Sequence, residues 1–327
     1  MSLPTFKFLR PRTIEEAVGH LASHGNDLHI LAGGTDILPS MKQRLFTPAY
    51  LMDIRGIEGL NGIHERPGGG AEIGALTPLS AVEDSEFIRR KYRVLHEAAM
   101  TVASPILRNM GTLGGNICLD TRCVWYNQSL QWRRSCGFCI KKDGDLCHVA
   151  PGGKMCWAAF SADTPPALLC LDAELEIAGP KGFRRVPIKD FHTNIGDARM
   201  KLVDNEMLTR VILPEASSGW KGSYLKLRIR GSIDYPLAGV AVAVKQNGGP
   251  IEAARVAITA VNPAPLLVVA AEHALVGKHI DEHVAAVVGE LAAKTAKPLT
   301  TSGLTPEYRR EVVKVYAKRA VMAVSSN

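Results

Sequence analysis

The apolar positions of IEEAVGHLASH, residues 14–24, recur at helical spacing behind Thr13, which precedes Glu16 by three residues. A hydroxyl there caps the first free amides of a helix, and Gly25 can turn the chain at its end, so the stretch predicts a first helix. LHILAGGTDILPSMKQR then reads as a short buried strand, a tight Gly33-Gly34 turn and a polar-capped segment, with AYLMDI as the next strand. Together they make a βαβ-like unit. AEIGALTPLSAVE repeats the logic: a strand to about Ala75, then Ser80 and Glu83 as the capping box of another helix. RKYRVLHEAAMTVAS is helical up to Pro105. Beyond residue 160, PPALLCLDAELEIAG shows strand-like apolar runs, and LAGVAVAVKQNGGPIEAARVAITAV a hairpin turned near Asn247 and Gly248. From Ala264 the pattern is mostly helical, with Pro306 at a first helical position. The class is α+β, in three small subdomains with boundaries near residues 58 and 178.

The 327 residues suffice for two or three cored domains, and 46% hydrophobic with 22% charged residues is the composition of a globular chain. MSLPTFKFLRPR lacks the apolar run of a signal peptide, and no stretch reaches the roughly 18 apolar residues that span a bilayer, so the expected location is cytoplasmic, with no membrane partner. The net charge of +7 is spread along the chain without a helix-turn-helix, zinc-finger or RNP-like pattern, which argues against nucleic acid. No Ser-His-Asp, HExxH or P-loop pattern is present, so no catalytic residue is expected.

Two glycine-rich segments, AGGTD and GTLGGN, follow strand-like or helix-terminal stretches. A pyrophosphate needs converging backbone amides with no Cβ in the way, and glycine turns supply them. Thr35, Asp36, Thr112 and Asn116 add side chains that can hydrogen-bond ribose and phosphate oxygens. The residues alone point to a nucleotide-like anion.

An odd seven cysteines in a chain without a secretory signal argue for free thiols or metal ligands over a disulfide framework. Cys123, Cys136, Cys139, Cys147 and Cys156 fall in one stretch. Their spacing matches neither a zinc ribbon nor a ferredoxin run, so zinc, an iron–sulfur cluster and structural free thiols all stay open. Cys118 and Cys170, in apolar surroundings, read as core.

LAGGTD, IGALTPLS, RNMGTLGGN, SADTPPALLCL and YLKLRIRGSIDYPLAGVAV stand in the order and approximate spacing of the FAD-binding subunit of the xanthine dehydrogenase and carbon monoxide dehydrogenase family, which the chain resembles over most of its length. The resemblance implies noncovalent FAD in a two-part binding domain of the molybdenum-hydroxylase flavoprotein type, residues 1–58 and 59–178. An α/β C-terminal flavoprotein domain, residues 179–327, would follow. Leu31, Ala32, Gly33, Gly34, Thr35 and Asp36 would wrap the pyrophosphate, and Gly111, Thr112, Gly114, Gly115 and Asn116 would complete the cradle. Asp163 would hold the adenosine end, with Leu208 and Lys226 near the isoalloxazine and its redox-active edge.

In the family that the chain resembles, GGN runs to the acidic motif within roughly ten residues, whereas 46 residues separate Asn116 from Asp163 here, a length that points to a functional insertion. The insertion, about 119–158, is similar to that of the 4-hydroxybenzoyl-CoA reductase branch of the family, where it carries a 4Fe-4S cluster. That resemblance puts the ligands on Cys123, Cys139, Cys147 and Cys156, with fifteen, seven and eight residues between them and Cys136 as the rival. It implies an electron-transfer subunit of a dimer of heterotrimers, with electrons coming from ferredoxin. A large partner would hold the molybdenum cofactor and remove the phenolic hydroxyl of 4-hydroxybenzoyl-CoA, and a small partner would hold 2Fe-2S clusters. Arg122, Arg133, Arg134, Lys141, Lys142 and Lys154 are the candidates for docking the donor. The alternative is the FAD subunit of another molybdenum hydroxylase, passing electrons outward to NAD or a quinone over a zinc-stapled loop. A nonenzymatic nucleotide-binding protein is the third reading.

Overall fold

Threonine 13 caps its helix as the pattern requires: in a computed structural model that describes residues 2–325, the Glu16 amide donates to Thr13 Oγ1 at 3.1 Å and the helix spans Ile14–His24. Its Ala17, Val18 and Leu21 pack on a parallel sheet of β1 (Lys7–Leu9), β2 (Leu28–Leu31) and β3 (Tyr50–Asp53), in the order β1-β3-β2. Parallel neighbours need a crossover. The Gly33-Gly34 turn and the helix Ile37–Lys42 supply it between β2 and β3, which is the expected βαβ unit.

The second sheet is antiparallel, in the order β4-β5-β8-β6-β7, from β4 (Ile63–Glu65), β5 (Ala71–Gly74), β6 (Glu174–Gly179), β7 (Gly182–Pro187) and β8 (Met207–Leu213). The boundary expected near 178 thus falls inside β6. Strand β8 pairs with both β5 and β6, so this layer is complete only at Leu213, and that pairing is long-range. Two local expectations also change. Ser80 caps nothing: the helix Leu79–Asp84 starts after Pro78, and Glu83 is drawn to the buried Arg108 at 2.7 Å. The stretch expected to be strand-like opens with a helix, Thr164–Cys170, with every residue buried. A short run apolar all round has no period by which to tell the two apart.

The third sheet, β12-β11-β10-β9, is antiparallel and built from β9 (Lys221–Leu227), β10 (Ala238–Lys245), β11 (Ala253–Thr259) and β12 (Leu266–Leu267). Its alternation divides two cores. Val240, Val242 and Val244 of β10 face the helices Val269–Leu275, Glu282–Thr295 and Pro306–Ser325, whereas Ala241 and Ala243 face the core of the second sheet. The hairpin turn lies at Gly248, at φ +75°.

The inserted residues form a lobe with one short helix, Leu130–Ser135, capped by Ser129. Its ends are pinned together by reciprocal hydrogen bonds between Arg122 and Ala159, at 2.7 and 2.8 Å. The Val124 amide donates to Thr301 O, and buried Arg133 donates to the carbonyls of Gln43 and Arg44. Among the described residues no helix is long and apolar enough to cross a membrane.

Candidate functional site

The two glycine segments, far apart in sequence, meet face to face. A Cβ on Gly33 would strike the carbonyl oxygen of Met110, and one on Gly111 would lie 3.6 Å from Thr35 Oγ1. Gly34 turns the chain at φ +78°, where a side chain would be strained. Behind them, Gly114 presses on Ala75, and Thr112 Oγ1 accepts from the Gly115 amide at 3.1 Å. Both segments line one cleft of about 910 Å³. That volume and the glycine-built cradle suit a large anionic ligand.

Of the residues expected there, Ala32, Gly33, Gly34, Thr35, Asp36, Gly111, Thr112, Gly114, Gly115, Asn116, Asp163 and Leu208 line this cleft, and Leu31 and Lys226 do not. Leu31 lies in a small core with Met41 and Leu51. Lys226 is buried, donating to Asp163 Oδ2 at 3.1 Å and to the Thr101 and Asp234 carbonyls. Lys226 therefore reaches the cleft through Asp163 and through Asp234, which also lines it, and Tyr224 OH holds the other oxygen of Asp163 at 2.8 Å. Burial pushes the Asp163 carboxyl upward, against the pull of Lys226 and Tyr224. Asp36 is similarly engaged, by Arg122 and Tyr235, and Asn116 Oδ1 accepts from Thr164. These polar groups shape the cradle; the amides of Gly111, Gly114, Gly115 and Asn116 are spent on Leu107, Ala75 and Thr112, which leaves the Gly33-Gly34 turn and Thr35 to meet a ligand.

Other lining residues carried no usable sequence signal. The segment 197–208 with Arg199, the loop 230–235 with Arg230 and Tyr235, and His29 and Asp120 all face the cleft. Apart from His29 in β2 and the start of β8, they come from irregular segments whose approach depends on the packing of all three sheets. Cys118, read as core, also borders the cleft, and burial pushes its thiol up to about 11. Cys170 is core as expected, donating weakly to Ala241 O.

Cys123, Cys139, Cys147 and Cys156 surround a second, smaller cavity with Trp125, Tyr126, Lys141 and His148. Cys136 is half-exposed and lies outside it. Cys139 sits on a knuckle between two left-handed residues, Phe138 (φ +60°) and Asp143 (φ +65°). Gly144 closes the knuckle, since a Cβ there would come within 2.8 Å of the Cys139 amide. Gly196 packs as closely on Cys156 Sγ. Burial pushes the Cys123 thiol up to about 12 and Cys156 to about 11. Among the described residues no group of three or more His, Cys, Asp or Glu side chains is arranged to hold a metal ion.

The basic residues divide. Arg122, Arg133 and Lys141 are spent inside the lobe, on Asp36, on backbone carbonyls and on Asp120 (2.8 Å), and cannot dock a donor. Arg134, Lys142 and Lys154 keep exposed or half-exposed positions. Asp120 lines the large cleft and Lys141 the thiol cavity, so their ion pair forms part of the wall between the two.

Residues 4–216 match the FAD-binding domain of molybdopterin dehydrogenases, and residues 223–324 match the C-terminal domain of the carbon monoxide dehydrogenase flavoprotein. The carbon monoxide dehydrogenase medium chain of Afipia carboxidovorans is 32% identical, over 97% of this chain and 96% of its own. The FAD-binding subunit PaoB of the Escherichia coli aldehyde oxidoreductase is 33% identical, over 74% and 77%. A crystal structure of the Cu,Mo-CO dehydrogenase superposes with a TM-score of 0.82 at 29% identity, covering 100% of this chain and 99% of that one.

Proposed function

The chain belongs to the medium-chain FAD-binding subunit family of carbon monoxide and xanthine dehydrogenases, and from that premise we propose that it is an electron-relay subunit with a second redox centre in its inserted lobe. As a member it is the FAD-binding subunit of a multi-subunit oxidoreductase, with a large and a small partner. FAD, when bound, exchanges electrons in pairs or singly. The protein's own share is to hold that cofactor. The turn at Gly33 and Gly34 offers amides to the pyrophosphate while Gly111 opposite leaves room for it, Thr35 offers a hydroxyl, and Asp163, oriented by Lys226 and Tyr224, offers its edge to the adenosine end. Leu208 presents an apolar side chain to the isoalloxazine.

The observation that carries the second centre is the thiol cavity. Four cysteines of the insertion line one cavity. Thiolates are soft ligands suited to iron, and a one-electron centre beside a flavin extends the relay, so the reading is a 4Fe-4S cluster with Cys123, Cys139, Cys147 and Cys156 as ligands. The relatives favour a carbon monoxide or xanthine dehydrogenase type of reaction, with electrons leaving to NAD or a quinone. The thiol cavity favours a second reading: the 4-hydroxybenzoyl-CoA reductase type, in which ferredoxin supplies electrons for reductive dehydroxylation on the large partner.

Iron, acid-labile sulfide and zinc analysis of the anaerobically purified complex tests the centre. Four irons and four sulfides per FAD are expected beyond those of the small partner's 2Fe-2S clusters, and these are lost on Cys123→Ser or Cys147→Ser and kept on Cys136→Ser; one zinc, with no iron or sulfide beyond the 2Fe-2S clusters, would overturn it. Dye reduction by carbon monoxide or xanthine, set against 4-hydroxybenzoyl-CoA turnover with reduced ferredoxin, separates the two reactions.

A further inference from the structure

Lys141 uses all three of its ammonium protons: on Asp120 Oδ1 (2.8 Å), on Thr121 Oγ1 (2.5 Å) and on the Gly196 carbonyl (2.8 Å). Its side chain is 5% exposed, and the ammonium stands 4.8 Å from the centre of the Tyr126 ring. Both Tyr126 and Lys141 line the thiol cavity, and Gly196, which accepts from Lys141, is the residue packed on Cys156 Sγ. Asp120 does not cancel this charge. Arg199 also pairs with it, at 3.4 Å, so two cations share one carboxylate and the buried group carries one positive charge in excess. Asp197, in the same segment as Gly196, is exposed, where solvent screens it.

We propose that Lys141 is the built-in counter-charge of the four-cysteine site, a positioning residue that sets the reduction potential of the centre held there. The proposal rests on the reading of that site as an iron–sulfur centre. Four thiolates around iron and sulfide leave a net negative charge, and each electron gained adds another. A fixed cation a few ångströms away in a poorly solvated wall stabilises the reduced form over the oxidised one. The same cation, through Asp120, is tied to the wall of the FAD cleft, so the potential of the lobe is adjusted by a residue that also fixes the lobe against that cleft.

The test is a redox titration of the anaerobic complex followed by low-temperature electron paramagnetic resonance, on wild type, Lys141→Met, Lys141→Arg and Asp120→Asn. Lys141→Met is expected to lower the midpoint potential, Asp120→Asn to raise it, and Lys141→Arg to leave it near wild type. A purely structural role predicts that Lys141→Met and Asp120→Asn, which break the same pair, shift it in one direction or not at all; either result overturns the proposal. Should Lys141→Met retain no cluster, Asp120→Asn decides alone, with an upward shift in support and a downward or null shift against. Absence from the wild-type complex of any iron and sulfide beyond the small partner's 2Fe-2S clusters would instead sink the cluster reading, before any variant is compared.

Discussion

His192 is wedged between Phe160 and Phe191, with ring centres 4.6 and 5.0 Å away; Nε2 meets the Ile117 carbonyl at 3.0 Å and Nδ1 is buried without a partner. Burial drives its pKa down to about 4, with Arg199 adding to the fall and the Ile117 bond opposing it. The folded state therefore binds this proton less readily than the unfolded chain, whose histidine titrates near 6.5. The stability concerned is present above pH 6.5 and is lost as pH falls towards 4, amounting to about 3 kcal/mol. His192→Gln keeps a donor for Ile117 but does not titrate. Urea unfolding at pH 7 and pH 4 is expected to show the variant losing about 3 kcal/mol less than wild type. At this scale the sequence was legible where chemistry restricts residue type. The glycines at 33, 111 and 114 stand where backbone approaches backbone, Gly34 where φ is positive, and four of the five cysteines of the insertion line one cavity. His192, Arg199 and Asp120 were not, because nothing local distinguishes a charged residue bound for a buried wall from one bound for solvent.

The inserted lobe depends on contacts outside itself. Arg133, 1% exposed, ties the helix Leu130–Ser135 to the chain after Ile37–Lys42 through the Gln43 and Arg44 carbonyls. Charge-assisted bonds of this kind contribute about 1.5–3 kcal/mol each when lost from a buried site. Arg133→Met is expected to make protease cleavage within 119–158 faster by roughly tenfold or more, while the FAD cleft stays loaded. Limited proteolysis with flavin absorbance as the control checks both halves. Elements with strong periodicity and caps, such as Ile14–His24 and Pro306–Ser325, were legible in the sequence. The buried helix Thr164–Cys170 was not, since its apolar run shows no face. Arg133 and Lys141 read as donor-docking charges for the same reason that His192 could not be found: side-chain direction in an irregular lobe is decided by its neighbours.

The cleft takes a wall from each of the three sheets: β2 and its turn, the Ala75–Leu79 region with Leu208 of β8, and the 230–235 loop after β9. A ligand there couples all three. FAD at 100 times its Kd is expected to stabilise the protein by about 2.7 kcal/mol, raising the Tm by about 4 °C in a single transition in which flavin release and loss of helical signal coincide. Two separate transitions, with only one responding to FAD, would show that the sheets unfold independently. The sequence by itself determined the family, the α+β class, the glycine turns of the cradle and the crowding of cysteines into one insertion, because turn chemistry, capping and ligand type are properties of neighbouring residues. Only the tertiary structure decided that β8 completes the second sheet, that Lys226 works from behind Asp163, that Cys136 stands apart from the other four thiols, and that Lys141 is buried between two cavities. Each of those depends on pairing and burial between residues distant in the chain, where local pattern carries no information.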